Sequence, residues 1–479
     1  MKRVSAAFAA SRFGLGLRPA RDDIFGRDPV AALIGEAESQ SQRPSDGDLA
    51  TSQEIITNTQ AYMVARRQAA KAVKAGQDAP SMMADQAAAM RSGPEDTGDK
   101  MKPAMADAPR PQPPHLAYYN AEFEALIARS KTAPIGFFER LVSFWSNHFA
   151  VEANRNFSTR GTVGAFEREA IRPHVLGRFD EMLFAVSNHP TMLYYLDNFL
   201  SAGVNSRVGQ RGRFGLNENY GREMLELHTL GVDGGYDQDD VRALANALSG
   251  WSVVRNPQRA DFGTFTFFKT MHEPGPVTVL GKTYPQRGED QASAIIADLA
   301  RHPATAHHLA FKLVQAFVAD TPPKDLVGRL AKVYMTTGGD LSALTWALVT
   351  DQASWEAPRT KLRTPQEFIW ASIRALPVET SFEDIRRGLT ILGQLPWSPI
   401  SPAGYPGDSR TWLAADALTN RLDYAQFLAT RTQPHDPRLT AEAALGDLLS
   451  GPTLEAIERA ESPQQAYALL LMSPEFQRR

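Results

Sequence analysis

The chain of 479 residues contains no cysteine, which removes disulfides, thiolate metal sites, iron–sulfur clusters and cysteine nucleophiles from the possible chemistry. The compartment stays open, because a cysteine-free protein suits cytosol and periplasm alike. An excess of one charge is also missing. The 51 basic and 54 acidic residues give a net charge of −3, so no global field draws nucleic acid or an anionic membrane. Basic residues are scattered without an aromatic-lined stripe, and no nucleic-acid partner is expected. No stretch approaches the ~18 consecutive apolar residues of a membrane span. No convincing repeat occurs, and no Gly-x-Ser-x-Gly, P-loop or dinucleotide fingerprint is present.

A convincing leader is missing too. In MKRVSAAFAASRFGLG only about seven weakly apolar residues separate Arg3 from Ser11, the lower limit of a signal core, and there is no Arg-Arg pair. The segment reads instead as a first helix packing Val4, Ala7 and Phe8. A cytoplasmic location is therefore expected, with periplasmic location by co-export with a partner as the alternative.

What is present is helical spacing. Residues 1–75 are expected to form an N-terminal helical segment packing on the main domain, from the apolar periodicity of PVAALIGEA and EIITNTQAYMVARRQAA. Composition then shifts. Residues 76–114, including SGPEDTGDKMKPAMADAPRPQPP, read as a flexible Pro/Gly/Met-rich linker or insertion. Its methionines (Met82, Met83, Met90, Met101, Met105) are spaced too irregularly to favour soft-metal capture over a flexible segment.

Residues 115–479 are expected to form the main helical domain. Phe138, Leu141, Val142, Trp145 and Phe149 recur at helical intervals. The period changes in TFTFFKTMHEPGPVTVLGKTY, which reads as two short strands around a Glu-Pro-Gly-Pro turn. The expected fold class is mainly α: one large multi-helical domain with one small β-hairpin insertion near 264–284.

Chemistry concentrates in FGLNENYGREMLELHTLGVDGGYDQDDVRALANALSGW. On an α-helical wheel Glu218, Asn219, Arg222, Glu223 and Glu226 share one arc. Tyr220, Met224 and Leu227 share the other, with His228 among them. Glu218–Arg222 and Arg222–Glu226 are ordinary i,i+4 pairs of a solvated helix. If the arc faces a cleft, Glu223 and Glu226 become paired carboxylates or metal ligands. Glu226 and His228 lie about 200° apart, so an undistorted helix cannot offer both to one ion. VDGGYDQDD lacks the glycine and closing glutamate of a calcium loop: Gln238 and Leu244 stand there. Gly231 reads as the cap of the first helix, and Asp237, with Asp240 three residues on, as the cap of the next.

His148 sits at the edge of the buried stripe of the Trp145 helix, as His228 does on its own. Lone histidines there are commonly satisfied core residues. Two on separate buried faces, with His272 before the Pro-Gly turn, make a shared site conceivable, since imidazole serves both metals and proton transfer. Adjacent His307 and His308 open the helix of Lys312 and point in different directions. The candidate catalytic groups are Glu223, His228, His148 and Asn147; the candidate metal ligands are Glu223, Glu226 and His272. No organic cofactor is indicated, and a divalent metal ion is the one cofactor this set suggests.

RFGLG, the segment Phe144–Phe149, HPTMLYYLDN, GLNENYGREMLELHTLGVDGGY, ALSGW, HEPGP with LGKTY, HPATA and the final SPEF resemble the bacterial domain-of-unknown-function family 1800 over almost the whole chain. The resemblance implies a mainly helical fold. It also implies genetic neighbourhood with family 1501, which is related to alkaline phosphatases and sulfatases, and many members of both carry export leaders. It supplies no catalytic residues. Two readings stay open. One is a metal-binding or hydrolytic or redox enzyme with a His/Glu site between helices, acting on envelope or exported material. The other is a non-catalytic helical scaffold or maturation partner of the phosphatase/sulfatase-like neighbour. Side chains converging on one concave site favour the first; dispersal favours the second.

Overall fold

A computed structural model describes residues 4–18, 22–43, 48–74, 112–212 and 214–479. Most of the expected linker at 76–114, with its methionines, lies outside the described residues. The fold is mainly α-helical, with two small two-stranded antiparallel sheets. Among the described residues no helix is long and apolar enough to cross a membrane.

Proline sets many helix starts. The helices Pro29–Ser41, Pro303–Phe317 and Pro365–Ala375 begin on proline after Asp28, His302 and Thr364, whose side chains accept the first free backbone N–H groups. The His-Pro motifs belong to this pattern. His189 and His302 accept the N–H of Thr191 and Ala304 through Nδ1, each at 3.2 Å, so both histidines are helix caps. Asp237 and Asp240 form the capping box expected for Gln238–Leu248.

One continuous hydrophobic core runs through the described chain. The Phe137–His148 helix, referred to as the Trp145 helix, lies inside it, with Phe138, Leu141, Val142 and Trp145 buried. Burial of each such side chain stabilises by about 1.5–3 kcal/mol. Its N-terminus is closed by Glu36 of the Pro29–Ser41 helix, which accepts the N–H groups of Gly136 (2.9 Å) and Phe138 (3.1 Å). The first helix, Ala6–Arg12, joins the same core. Phe13 just beyond it packs on Trp355 at 4.9 Å and Phe137 at 5.8 Å between ring centroids.

Three of the four strands of the described residues fall within the 264–284 stretch and one lies ahead of it, and their pairing differs from the single hairpin expected. β2 (Phe265–Phe267) pairs with β1 (Trp251–Val253), while β3 (Val277–Val279) pairs with β4 (Lys282–Tyr284). Glu273–Pro276 therefore links two ribbons instead of closing one. The β3–β4 reversal is made by Leu280 and Gly281, with φ of 50° and 74°. Positive φ at both positions matches the twist of a two-residue hairpin turn, which proline cannot provide.

Candidate functional site

The GREMLELHT segment is not one regular helix. It starts as an α-helix, Asn219–Glu223, and widens into a π-helical turn, Met224–Thr229. Leu230 N–H reaches back five residues to the Leu225 carbonyl (2.9 Å), and the Thr229 hydroxyl binds the Met224 carbonyl (2.7 Å). Gly231, at φ 85°, then ends the segment as a C-cap. An α-helical wheel loses phase across such a turn. Wide turns of this kind are frequent at functional sites.

The turn presents its last carbonyls to two imidazoles, those of His148 and His308. The imidazole of His148 donates from Nε2 to the His228 carbonyl at 3.1 Å, and His308 Nε2 faces the Leu227 carbonyl at 3.4 Å. Lys312, one turn after His308 on the Pro303–Phe317 helix, donates from Nζ to His148 Nδ1 at 3.0 Å. A lysine donating to Nδ1 fixes His148 as the Nε2–H tautomer. The His148 ring centroid stands 6.4 Å from that of His228 and 6.1 Å from that of His308.

Electrostatics make this a site of strongly displaced acidities. Burial, then the charge of Lys312, holds His148 well below the usual imidazole range. The same causes, with His308, take His228 to about 3, and His308 itself lies at about 4. All three rings are neutral at pH 7. Burial lowers Lys312 to about 8, although part of its surface reaches solvent. His148 and His228 are both buried as expected. His228, however, has no hydrogen-bond partner for Nδ1 among the described residues, where a polar partner was expected.

The other predicted residues go elsewhere. Asn147 turns to the loop after Gln394, donating to the Tyr405 carbonyl (3.0 Å) and accepting the Tyr405 N–H (2.7 Å). Gly404 permits this clamp, since a Cβ there would lie 2.4 Å from the Asn147 carbonyl. Asn147→Ala is expected to cost about 1–3 kcal/mol and to speed amide exchange at Tyr405. Urea unfolding and hydrogen exchange measure the two effects, and unchanged exchange at Tyr405 would contradict the clamp.

Glu223 is half-buried, and its pKa is raised by burial and then by Glu226, against the opposing charge of Arg222. Together with Glu152 it also acts on the buried Tyr195, whose pKa burial pushes up to about 12. Glu218 stays at the surface with Arg242 (3.3 Å) and Gln238 (2.6 Å). The metal set of Glu223, Glu226 and His272 is not assembled. Glu226 faces the Tyr236 hydroxyl, and His272 spends Nδ1 on the Ser249 carbonyl at 2.9 Å, its ring lying against Phe267. Among the described residues no three His, Asp or Glu side chains converge to hold a metal ion.

His308 and Lys312 are the groups that sequence reasoning passed over. Their i,i+4 spacing was the available signal, because it puts both on one helix face.

Residues 9–478 match the model of a family described as a protein of unknown function, DUF1800. No curated protein and no solved structure matches the chain.

Proposed function

The chain belongs to this family of unknown function, and we propose that it is a hydrolytic enzyme in which the Lys312 amine, held by His148, accepts a proton from water. The observation that carries this reading is a lysine that meets an imidazole instead of a carboxylate. With a pKa of about 8, roughly one amine in ten is neutral at pH 7, against one in a few thousand for an ordinary lysine. His148 has its Nε2–H anchored on the His228 carbonyl, so its ring is fixed and its Nδ1 orients the amine. The lone pair of neutral Lys312 is then free to activate water against an ester-type bond. Envelope or exported material is the substrate source that the family resemblance suggests.

A pH series of acylation by a small anhydride, read at Lys312 by mass spectrometry, tests the acidity. The rate is expected to inflect near pH 8, and an inflection above pH 10 rejects the proposal. Turnover of chromogenic carboxylic and phosphate esters is expected to follow the same inflection and to vanish in Lys312→Met.

A second reading draws on the imidazoles that close the carbonyls of the π turn, which is a structural task. In that reading the chain is a helical partner of the phosphatase- and sulfatase-related family. Retention of that partner by Lys312→Met, with no ester turned over by the wild type, favours it.

A further inference from the structure

Glu139 and His148 lie about 180° apart around the Trp145 helix. The face carrying Glu139, Ser143 and Ser146 borders a cleft that the Lys312 group does not use. Two cavities, of about 60 and 110 Å³, share Glu139, Ser143, Asn147, Gln366, Gln394 and Tyr405 as a common wall, so they adjoin. We propose that this cleft binds a neutral, hydroxyl-rich ligand of the saccharide class. The inference does not rest on Lys312 being catalytic.

Three observations carry it. First, the cleft offers unspent hydrogen-bonding capacity of both signs. Gln394 is only 8% exposed; its Oε1 accepts the Gln366 N–H (2.9 Å) and its carbonyl accepts Gln366 Nε2 (3.1 Å). Gln394 Nε2 and Gln366 Oε1 are left as a donor and an acceptor with no protein partner among the described residues. A sugar hydroxyl both donates and accepts, and a donor–acceptor amide pair matches neighbouring hydroxyls.

Second, the charged groups on the wall are engaged in ion pairs, with Arg140 and Arg479 sharing the single carboxylate of Glu367. Glu139 holds Arg172 in two hydrogen bonds of 2.9 and 2.7 Å, and Glu367 holds Arg140 (2.9 Å) and Arg479 (2.8 Å). Glu167 accepts the Trp397 indole N–H at 2.8 Å. A neutral ligand displaces none of these ion pairs.

Third, aromatic rings stand among these polar groups: Trp397, Tyr405 and Trp370. Such rings pack on the C–H faces of sugars while the amides read the hydroxyls. Trp397 is held at φ 51°, strained for so bulky a residue, by the Glu167 bond and by an Ala153 N–H on its carbonyl (2.7 Å). Strain kept in place by surrounding bonds fits a preformed ligand wall.

The test titrates the full chain with neutral tetrasaccharides of glucose, N-acetylglucosamine, mannose, galactose or xylose, following tryptophan fluorescence and heat. Potassium sulfate and an uncharged Gly/Ser tetrapeptide serve as comparators. Saturable binding of at least one tetrasaccharide is expected. Ser143 is exposed and makes no protein hydrogen bond among the described residues, so Ser143→Leu narrows the cleft without disturbing the helix. It is expected to weaken binding about tenfold or more at unchanged Tm, and Gln394→Leu to weaken it similarly through its lost amide, with a lowered Tm because the Gln366 N–H loses its acceptor. The proposal is overturned if no tetrasaccharide binds at millimolar concentration. Undiminished binding in both variants, or tighter binding of sulfate or the peptide, overturns it equally.

Discussion

Glutamine in place of Glu367 is expected to destabilise the fold by about 3 kcal/mol at neutral pH, the lower end of the range for removing one partner of a buried ion pair, because its side chain is 17% exposed. Glu367 starts the Pro365–Ala375 helix, where its carboxylate also accepts the Thr364 N–H at 2.9 Å. Around it stand Arg140 and Arg479 in direct contact, with Lys361 close enough to act on it. Burial alone would raise its pKa. Arg479, Arg140, the Thr364 N–H and Lys361 outweigh that and hold it at about 2. Glutamine keeps the shape but leaves these cations without their shared anion. The folded-state pKa is depressed, so the contribution is present above the unfolded value near 4.5 and is lost as pH falls from there through about 2. Urea unfolding of wild type and Glu367→Gln should show a wide gap at pH 7 that narrows below pH 4.5. A gap independent of pH would point to altered packing instead of charge.

Lys312→Met is expected to act in the opposite direction, stabilising the protein at pH 7 by about 1–3 kcal/mol. A buried ion replaced by an apolar side chain of similar length relieves desolvation, and the partial exposure of Lys312 keeps the gain at the lower end. Its folded pKa, about 8, lies below the unfolded value near 10.5. Between these the unfolded chain binds more protons, so wild-type stability rises with pH from about 8 to 10.5. The Met variant should lack that rise. Denaturant titrations across this range decide it, and a variant less stable than wild type at pH 7 would show that Lys312 contributes a net favourable interaction. Stability gained at the expense of turnover is the usual signature of a group kept for activity.

Local features of the fold were legible in the sequence. The buried stripe of the Trp145 helix, the Gly231 stop and the Asp237–Asp240 cap each rest on residues within a few positions of one another. At that range backbone geometry and side-chain chemistry leave little choice. The positions of β2, β3 and β4 within 264–284 were legible for the same reason, whereas β1, ahead of that stretch, was not. Their pairing was not, since β1 and β2 are joined across a long connection whose closure depends on burying Trp251.

The candidate site divides along the same line. Composition and spacing determined that this is a cysteine-free, mainly helical chain with histidines on two buried faces. They could not determine which groups meet. The wheel that placed Glu226 opposite His228 assumes a constant period, and the π turn after Glu223 breaks it. Asn147 and His148 are adjacent in sequence, yet one clamps Tyr405 and the other orients Lys312, because neighbours on a helix face different directions. The meeting of His148 with Lys312, 164 residues away, is fixed by how two helices pack against the end of a third. Sequence spacing sets the phase of each helix; only the burial of their shared core sets their phases against one another.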